Sequence, residues 1–166
     1  MAFQGTINRV NTFGIQGDLA NGQVPHYTAT TPRVYTGETI YAGDFVWVSD
    51  DNGVAVAKKA SQSGKPTGIV QRVLDVPLAV SDVATLQIPV GRKCDVVVWG
   101  DVFVKTTDTA SVGKKLFVNN TTGAITCGNA GASVSGATET DWTIVSLANN
   151  AAAAGGSIVI ASNVTK

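Results

Sequence analysis

Short runs of valine, isoleucine and aromatic residues alternate with glycine- and asparagine-containing turns from about residue 34 to the end of the sequence. Phe45–Ser49 and Val54–Lys58 flank an Asp-Asp-Asn-Gly stretch, and the Asn-Gly pair favours a tight hairpin. The 166 residues include 24 Val and 19 Thr but only 6 Leu and 2 Glu. Because β-branched residues suit a pleated surface and good helix formers are scarce, the sequence predicts an all-β fold.

The spacing of these runs is typical of a sandwich or barrel. We predict a small β-barrel or β-sandwich of short antiparallel strands over residues 34–166. A short helix fits only at Val76–Ala84, and two β-branched residues after Val76 weaken that prediction. Further strands are predicted at Gly68–Val73, Thr85–Val90, Cys94–Trp99, Val102–Lys105, Lys115–Val118, Ala124–Cys127, Trp142–Ser146 and Ser157–Ile160.

Two hairpin segments align without a gap at a spacing of 70 residues, namely 42–57 and 112–127. Gly43 matches Gly113, and Gly53 matches Gly123. A small polar loop and then a Val/Ile strand follow each segment. The sequence leaves two interpretations open: a duplicated structural unit, or the ordinary likeness of any two β-hairpins.

Residues 1–33 are polar, rich in glycine and weakly patterned, which predicts an extended N-terminal arm. A disordered tail is the alternative. Isolated apolar side chains are costly to leave in water, so we expect them to dock on another surface. The first residues lack the basic and apolar regions of a signal peptide, so we expect synthesis in a cytoplasm. The candidate partner-binding residues are Phe3, Ile7, Phe13, Ile15, Leu19 and Tyr27.

The sequence lacks the residue sets that catalysis requires. Its one histidine, His26, precedes the patterned region and has no partner set of the Ser-His-Asp or Cys-His kind. Asp50–Gly53 lacks the spacing of a calcium loop, and no phosphate-binding loop is present. Cys94 and Cys127 form no Cys-x-x-Cys pair, so we predict free thiols, at least one of them buried, and leave a disulfide open. We therefore expect no catalytic residue, no metal, no cofactor and no enzymatic activity.

Charge and apolar length exclude two further classes of partner. The formal net charge is zero, and the basic pairs Lys58-Lys59, Arg92-Lys93 and Lys114-Lys115 are typical of solvated strand ends. No apolar stretch approaches the 18 residues that a membrane span needs. We therefore expect neither nucleic acid nor a membrane as partner.

Tryptophan side chains sometimes line a sugar-binding face. Here Trp47, Trp99 and Trp142 each lie in a strand-like run, which favours core packing instead.

Several motifs, in order, resemble the capsid cement (head decoration) proteins of tailed bacteriophages. They are Gly43–Val46, Gly68–Val70, Val96–Val104, the Val112-to-Gly123 hairpin and Ala153–Ile160, and the resemblance covers roughly residues 37–160. It implies a β-rich structural protein that binds the major capsid protein on the outside of the virion, bridges neighbouring capsomers and stabilises the shell. It also implies a homo-oligomer, with a trimer favoured over a dimer.

The same resemblance implies that residues 1–33 make the capsid or inter-subunit contacts. Gly17–Gly22 matches the start of the family's pattern only loosely. Two alternatives remain open on the residues: a tail or head-fibre component, and a carbohydrate-binding β-sandwich module. Fibres are expected to show longer repeats, and a sugar-binding module is expected to expose a tryptophan.

Overall fold

A computed structural model describes residues 14–20, 24–73, 86–148 and 157–164, and within these ranges it contains thirteen strands and no helix. The prediction of an all-β fold is confirmed. The predicted helix at Val76–Ala84 lies outside the described residues. The strands are β1 His26–Tyr27, β2 Arg33–Val34, β3 Ile40–Tyr41, β4 Phe45–Asp51, β5 Val54–Lys58, β6 Gly68–Val70, β7 Gln87–Ile88, β8 Val96–Trp99, β9 Asp101–Lys105, β10 Lys115–Asn119, β11 Ile125–Gly128, β12 Ala137–Leu147 and β13 Ile158–Ser162.

The strands form two large sheets and one small sheet. Sheet 1 has the order β1-β8-β6-β4-β5-β2, sheet 2 has the order β11-β10-β12-β13-β9, and β3 pairs with β7. All neighbouring strands are antiparallel except β2 and β5, which are parallel. None of the sheets closes on itself within the described ranges, so the fold is a sandwich rather than a barrel.

Side chains on alternate residues enter different cores because successive residues of a strand point to opposite faces. Phe45 and Ile69 of sheet 1 share one core with Leu116 and Ile144 of sheet 2. The intervening residues of sheet 1, such as Val46, face a second core that includes residues from β3 and β7. Sheet 1 is therefore the middle of three layers.

The tryptophans only partly follow the prediction of core packing. Trp47 and Trp142 are buried in the core between the two sheets. Trp99 is half-buried, and its ring stacks on the ring of His26 with centroids 4.7 Å apart. The difference arises because Trp99 is the last residue of β8, directly before the chain crosses at Gly100 into sheet 2.

The two large sheets repeat one strand order, which favours the duplicated unit. The order β5-β4-β6-β8-β1 in sheet 1 is equivalent to the order β11-β10-β12-β13-β9 in sheet 2. Each begins with a hairpin, continues with the next two strands of that sheet, and ends with a strand from earlier in the chain. The registers differ, however. Trp47 pairs with Lys58, whereas its counterpart Phe117 pairs with Thr126, which matches Val56. The first hairpin closes in a tight turn at Asn52-Gly53, with positive φ angles of 54° and 83°. In the second hairpin the strand pairing ends at Val118 and Ile125, so the connection between its strands is longer.

The predicted boundary at residue 33 falls within β2, and β1 belongs to sheet 1. Residues 26–27 thus pair with β8, with His26 opposite Trp99. The division of the chain into an arm and a domain stays a prediction.

Candidate protein-binding surface

Residues 14–20 run along the outer edge of β9 and extend sheet 2 there. The Gly17 amide donates to the Phe103 carbonyl (2.7 Å), and the Phe103 amide donates to the Asp18 carbonyl (2.9 Å). The Ala20 amide donates to the Asp101 carbonyl (2.8 Å), and Leu19 forms a β-bridge with Val102. This segment therefore covers backbone groups that an edge strand would otherwise leave open to another chain.

Polar contacts with sheet 1 hold the same segment from the other side. Arg72 Nε lies 2.6 Å from Asp18 Oδ1, and the Arg72 amide donates to the Gly17 carbonyl (2.8 Å). A Cβ atom at Gly17 would lie 2.7 Å from that of Ala42, so the two backbones meet too closely for a side chain at Gly17. Residues 14–20 consequently join both sheets.

A partly covered apolar surface lies on the face of sheet 2 that points away from sheet 1; we call it the outer face. Phe103 packs there with Ile158 and Ile160, which are half-buried, and with Ala20. Gly14 lies directly on the Phe103 ring, which a Cβ atom at that position would overlap. Within the described part of the chain, this apolar face is therefore only partly covered.

Exposed aliphatic side chains adjoin the outer face. Ile15 follows Gly14 and is 46% exposed. Val145 lies between the core residue Ile144 and Ser146, where the pairing of β12 with β13 is irregular, and it is 45% exposed. Val112 is 61% exposed, and the next residue, Gly113, donates its amide to the Ile144 carbonyl (2.8 Å).

A second exposed apolar region lies along β1, at one end of sheet 1. Tyr27 is 43% exposed, and its hydroxyl donates to Gln71 Oε1 (2.7 Å). Partial burial, and then the nearby Asp95 carboxylate, raises the pKa of Tyr27. Among the described residues β1 is an end strand of sheet 1, and an edge strand carries backbone groups with which another strand can pair.

The six predicted partner-binding residues fall in different places. Ile15 and Tyr27 are exposed, on sheet 2 and sheet 1 respectively. Leu19 is half-buried against the core between the sheets, where it anchors residues 14–20. Phe3, Ile7 and Phe13 lie outside the described residues. Sequence reasoning missed Val112 and Val145, although the alternation in Trp142–Ser146 implies that Val145 points opposite to Ile144.

The structure has both cysteines as free thiols, with Cys94 buried and Cys127 half-buried. Burial raises the pKa of Cys94 to about 12, and burial followed by the Asp108 charge raises that of Cys127. Protonated thiols are poor nucleophiles. In the described ranges no three His, Cys, Asp or Glu side chains form a group able to hold a metal ion, and no helix is suited to span a membrane.

A largely buried ion pair lies at the base of the first hairpin, where Lys59 also contacts the second hairpin. Lys59 Nζ lies 2.7 Å from Asp44 Oδ2, and burial, which outweighs the nearby Lys59 charge, raises the pKa of Asp44. Glu38 accepts hydrogen bonds from the Lys59 and Ala60 amides at 3.1 and 3.3 Å. The Lys59 side chain packs against Gly123 between β10 and β11, so this polar group links sheet 1 to sheet 2.

Comparison with known proteins identifies the fold and the family. The fold is similar to that of a chain in the solved structure of the capsid of Myoviridae phage XM1, with a TM-score of 0.61, 19% identity and 98% of each chain covered. No curated protein matches the sequence. A family model described as XM1 gp53 minor capsid protein matches residues 3–163. The chain therefore belongs to the XM1 gp53 minor capsid protein family and is a structural protein of a bacteriophage capsid, found in the virion.

Proposed function

We propose that the protein is a capsid decoration, or cement, protein, which binds the outside of the phage head and bridges neighbouring major capsid proteins. The observation that carries the proposal is the partly covered outer face of sheet 2, with Ile15 and Val145 exposed beside it. An apolar surface of this kind is typical of a protein–protein contact.

Repetition of weak contacts suits this role. Full burial of an aliphatic side chain contributes about 1.5–3 kcal/mol, and burying the remaining 46% of Ile15 contributes about half of that. Two or more modest contacts made at once by one subunit produce much tighter attachment than either alone, provided that the geometry allows both. A protein that bridges neighbouring capsid subunits has to keep its two contact surfaces in a fixed geometry. The core shared by the two large sheets and the core beneath the third layer favour such a rigid fold.

The N-terminal residues are part of the proposed contact. Gly14 lies on Phe103 at the outer face, and Phe3, Ile7 and Phe13 remain proposed contact residues. Tyr27 on the open β1 edge offers a further contact, to a neighbouring subunit or to another copy of this chain. We propose self-association as a trimer on the capsid, with no role for nucleic acid, membrane, cofactor or catalysis.

Co-sedimentation with expanded capsids that lack this protein tests the proposal. We expect the wild-type protein to sediment with the capsids and to saturate. A protein that stays in the supernatant at saturating concentration contradicts capsid decoration.

Charged substitutions locate the contact. We expect Ile15→Asp combined with Val145→Asp to lower capsid affinity by about tenfold or more, because each places a carboxylate in an apolar interface. Val54→Asp is the matched control, since Val54 is similarly exposed (46%) at the far end of the β4–β5 hairpin. Equal loss in the control and the double variant contradicts a contact at the outer face.

Capsid stabilisation is measured separately. DNA-filled heads with and without the protein are heated, and DNA release is followed by dye fluorescence. We expect decorated heads to release DNA at a higher temperature, because a ligand that binds only the intact shell stabilises it. Identical release temperatures contradict a cement role and leave simple attachment.

A further inference from the structure

Three cationic side chains converge at the β2 edge of sheet 1, where they line a cleft of about 370 Å³. Arg33, Arg92 and Lys93 are all exposed, and none of the ion pairs within the described residues involves them. Arg92 and Lys93 are adjacent, but Arg33 comes from a distant part of the sequence and forms a β-bridge with Lys93. The other lining residues are Thr31, Val73, Gly91 and Asp95.

Backbone hydrogen bonds hold the walls of this cleft in place. The Val34 amide donates to the Arg92 carbonyl, and the Gly91 amide donates to the Val34 carbonyl, both at 2.9 Å. Arg33 Nη1 donates to the Gly91 carbonyl (3.1 Å), which fixes the position of its guanidinium group. On its other side β2 pairs with β5. A preformed site of this kind loses little conformational entropy when it binds a ligand.

We propose that this cleft binds an acidic loop of a neighbouring capsid protein, with Asp or Glu carboxylates against Arg33, Arg92 and Lys93. Guanidinium groups bind carboxylates through paired hydrogen bonds, and Lys93 adds a further positive charge. The inference deepens the proposed function, on which it rests, by naming the chemistry of one partner surface.

The Asp95 carboxylate in the lining favours a peptide over a nucleic acid. A peptide loop offers backbone N–H donors for Asp95 as well as acidic side chains for the cations. A phosphate backbone offers only acceptors near a carboxylate, and three cations release too few counterions for strong binding. The sequence alone predicts that Arg92-Lys93 is a solvated strand end. The structure places Arg33 beside this pair, so the three cations line one cleft.

Zero-length cross-linking in intact virions tests the contact directly. A carbodiimide activates a carboxylate, and the amine of Lys93 then forms an amide with it only where the two groups touch. We expect mass spectrometry to find Lys93 joined to an Asp or Glu of another capsid chain. Intermolecular cross-links at the exposed Lys65 or Lys105 but none at Lys93, or none at any lysine, overturn the proposal.

Charge reversal supplies an independent measurement. We expect Arg92→Glu combined with Lys93→Glu to weaken capsid binding by about tenfold or more, with the difference shrinking as salt is raised. A matched control compares single variants: Lys93→Glu is expected to weaken binding, whereas Lys65→Glu, which reverses an exposed charge in the loop before β6, is expected to leave binding near the wild-type value. Circular dichroism melting confirms that the variants fold. Equal binding by Lys93→Glu and Lys65→Glu overturns the proposal.

Two further results separate the possible failures. If the wild-type protein does not sediment with capsids but Lys93 is cross-linked in virions, decoration from solution fails while the acidic contact stands. If the wild-type protein retains duplex DNA on a filter and the Arg92→Glu, Lys93→Glu variant does not, the cleft binds nucleic acid and the proposal is overturned.

Discussion

The two large sheets share one strand order but differ in how their second faces are covered. Sheet 1 lies between sheet 2 and the β3–β7 layer, and Val46 and Val70 on its second face are fully buried. Sheet 2 has Phe103 and Ile160 on its second face, where residues 14–20 cover only part of the surface. Runs of consecutive apolar residues, such as Phe45–Val48 in β4 and Val102–Val104 in β9, place apolar side chains on both faces of each sheet. Both faces of each sheet therefore need to be covered.

Connections between equivalent strands explain the difference. In the first half, residues 71–95 connect β6 to β8 and contribute β7, which pairs with β3 to form the third layer. In the second half only residues 148–157 connect β12 to β13. In the first half, the third layer of the chain itself therefore covers the second face of sheet 1. In the second half, the proposed function assigns the remaining cover of sheet 2 to the capsid.

Phe45→Ala is expected to have the largest effect, because it damages the core that both sheets share. Phe45 is fully buried, and its ring meets that of Trp142 edge-on with centroids 6.2 Å apart. Removing a buried Phe side chain costs about 3–5 kcal/mol. Urea denaturation measures the loss in the free energy of unfolding, and Val54→Ala is the exposed control. A loss below about 1 kcal/mol contradicts a common core.

Matched isoleucine truncations compare the two covers directly. Ile40→Ala, in the third layer, is expected to cost about 2–5 kcal/mol because Ile40 is fully buried. Ile160→Ala, on the outer face, is expected to cost about 1 kcal/mol because its side chain is only half-buried. Denaturation of both variants in one buffer measures the difference. Equal costs indicate that the outer face is as well covered as the second face of sheet 1.

Much of the fold follows from local patterns, and the omissions have physical causes. Runs such as Phe45–Ser49 and Val54–Lys58 alternate regularly and end at turn residues, so their strands were predictable. β1 and β2 are two residues long and carry no period, so only pairing with distant strands reveals them. The two-residue register difference between the hairpins depends on turn geometry, which the aligned glycines conceal.

The binding surfaces were harder to predict because they depend on long-range placement. Leu19 resembles the other isolated apolar residues of the N-terminal segment, and only its bridge to Val102 shows that it faces the core. Arg33 and Arg92 are far apart in the sequence and meet only because β2 lies beside residues 91–93. Ile15 and Tyr27 remain predicted contact residues, which the capsid-binding experiments test.

Arg72→Gln is expected to loosen residues 14–20 without unfolding either sheet. The Arg72–Asp18 pair is partly exposed (26% and 30%), so we expect a loss of only about 0.5–1 kcal/mol in global stability. Hydrogen exchange measures the local effect, and the Gly17 and Ala20 amides are expected to exchange faster. Lys65→Gln, which removes the more exposed Lys65–Asp141 pair, serves as control. Unchanged exchange at both amides contradicts an anchoring role for Arg72.

Thiol labelling gives the smallest and most local comparison, because one free cysteine lies in each half. Cys94 is buried in the core beneath the third layer, whereas Cys127 is half-buried on β11, the end strand of sheet 2. We expect a thiol reagent near neutral pH to label Cys127 first and Cys94 only as the protein unfolds. Burial raises the pKa of Cys94 from its ordinary 9.0 to about 12. The folded state therefore keeps a proton that the unfolded chain loses, so stability falls as pH rises through that interval. Cys94→Ala is expected to show a smaller fall in urea titrations at increasing pH, because only the raised pKa values of Cys127 and Tyr27 then contribute. Equally fast labelling of both cysteines contradicts the difference in cover between the two sheets.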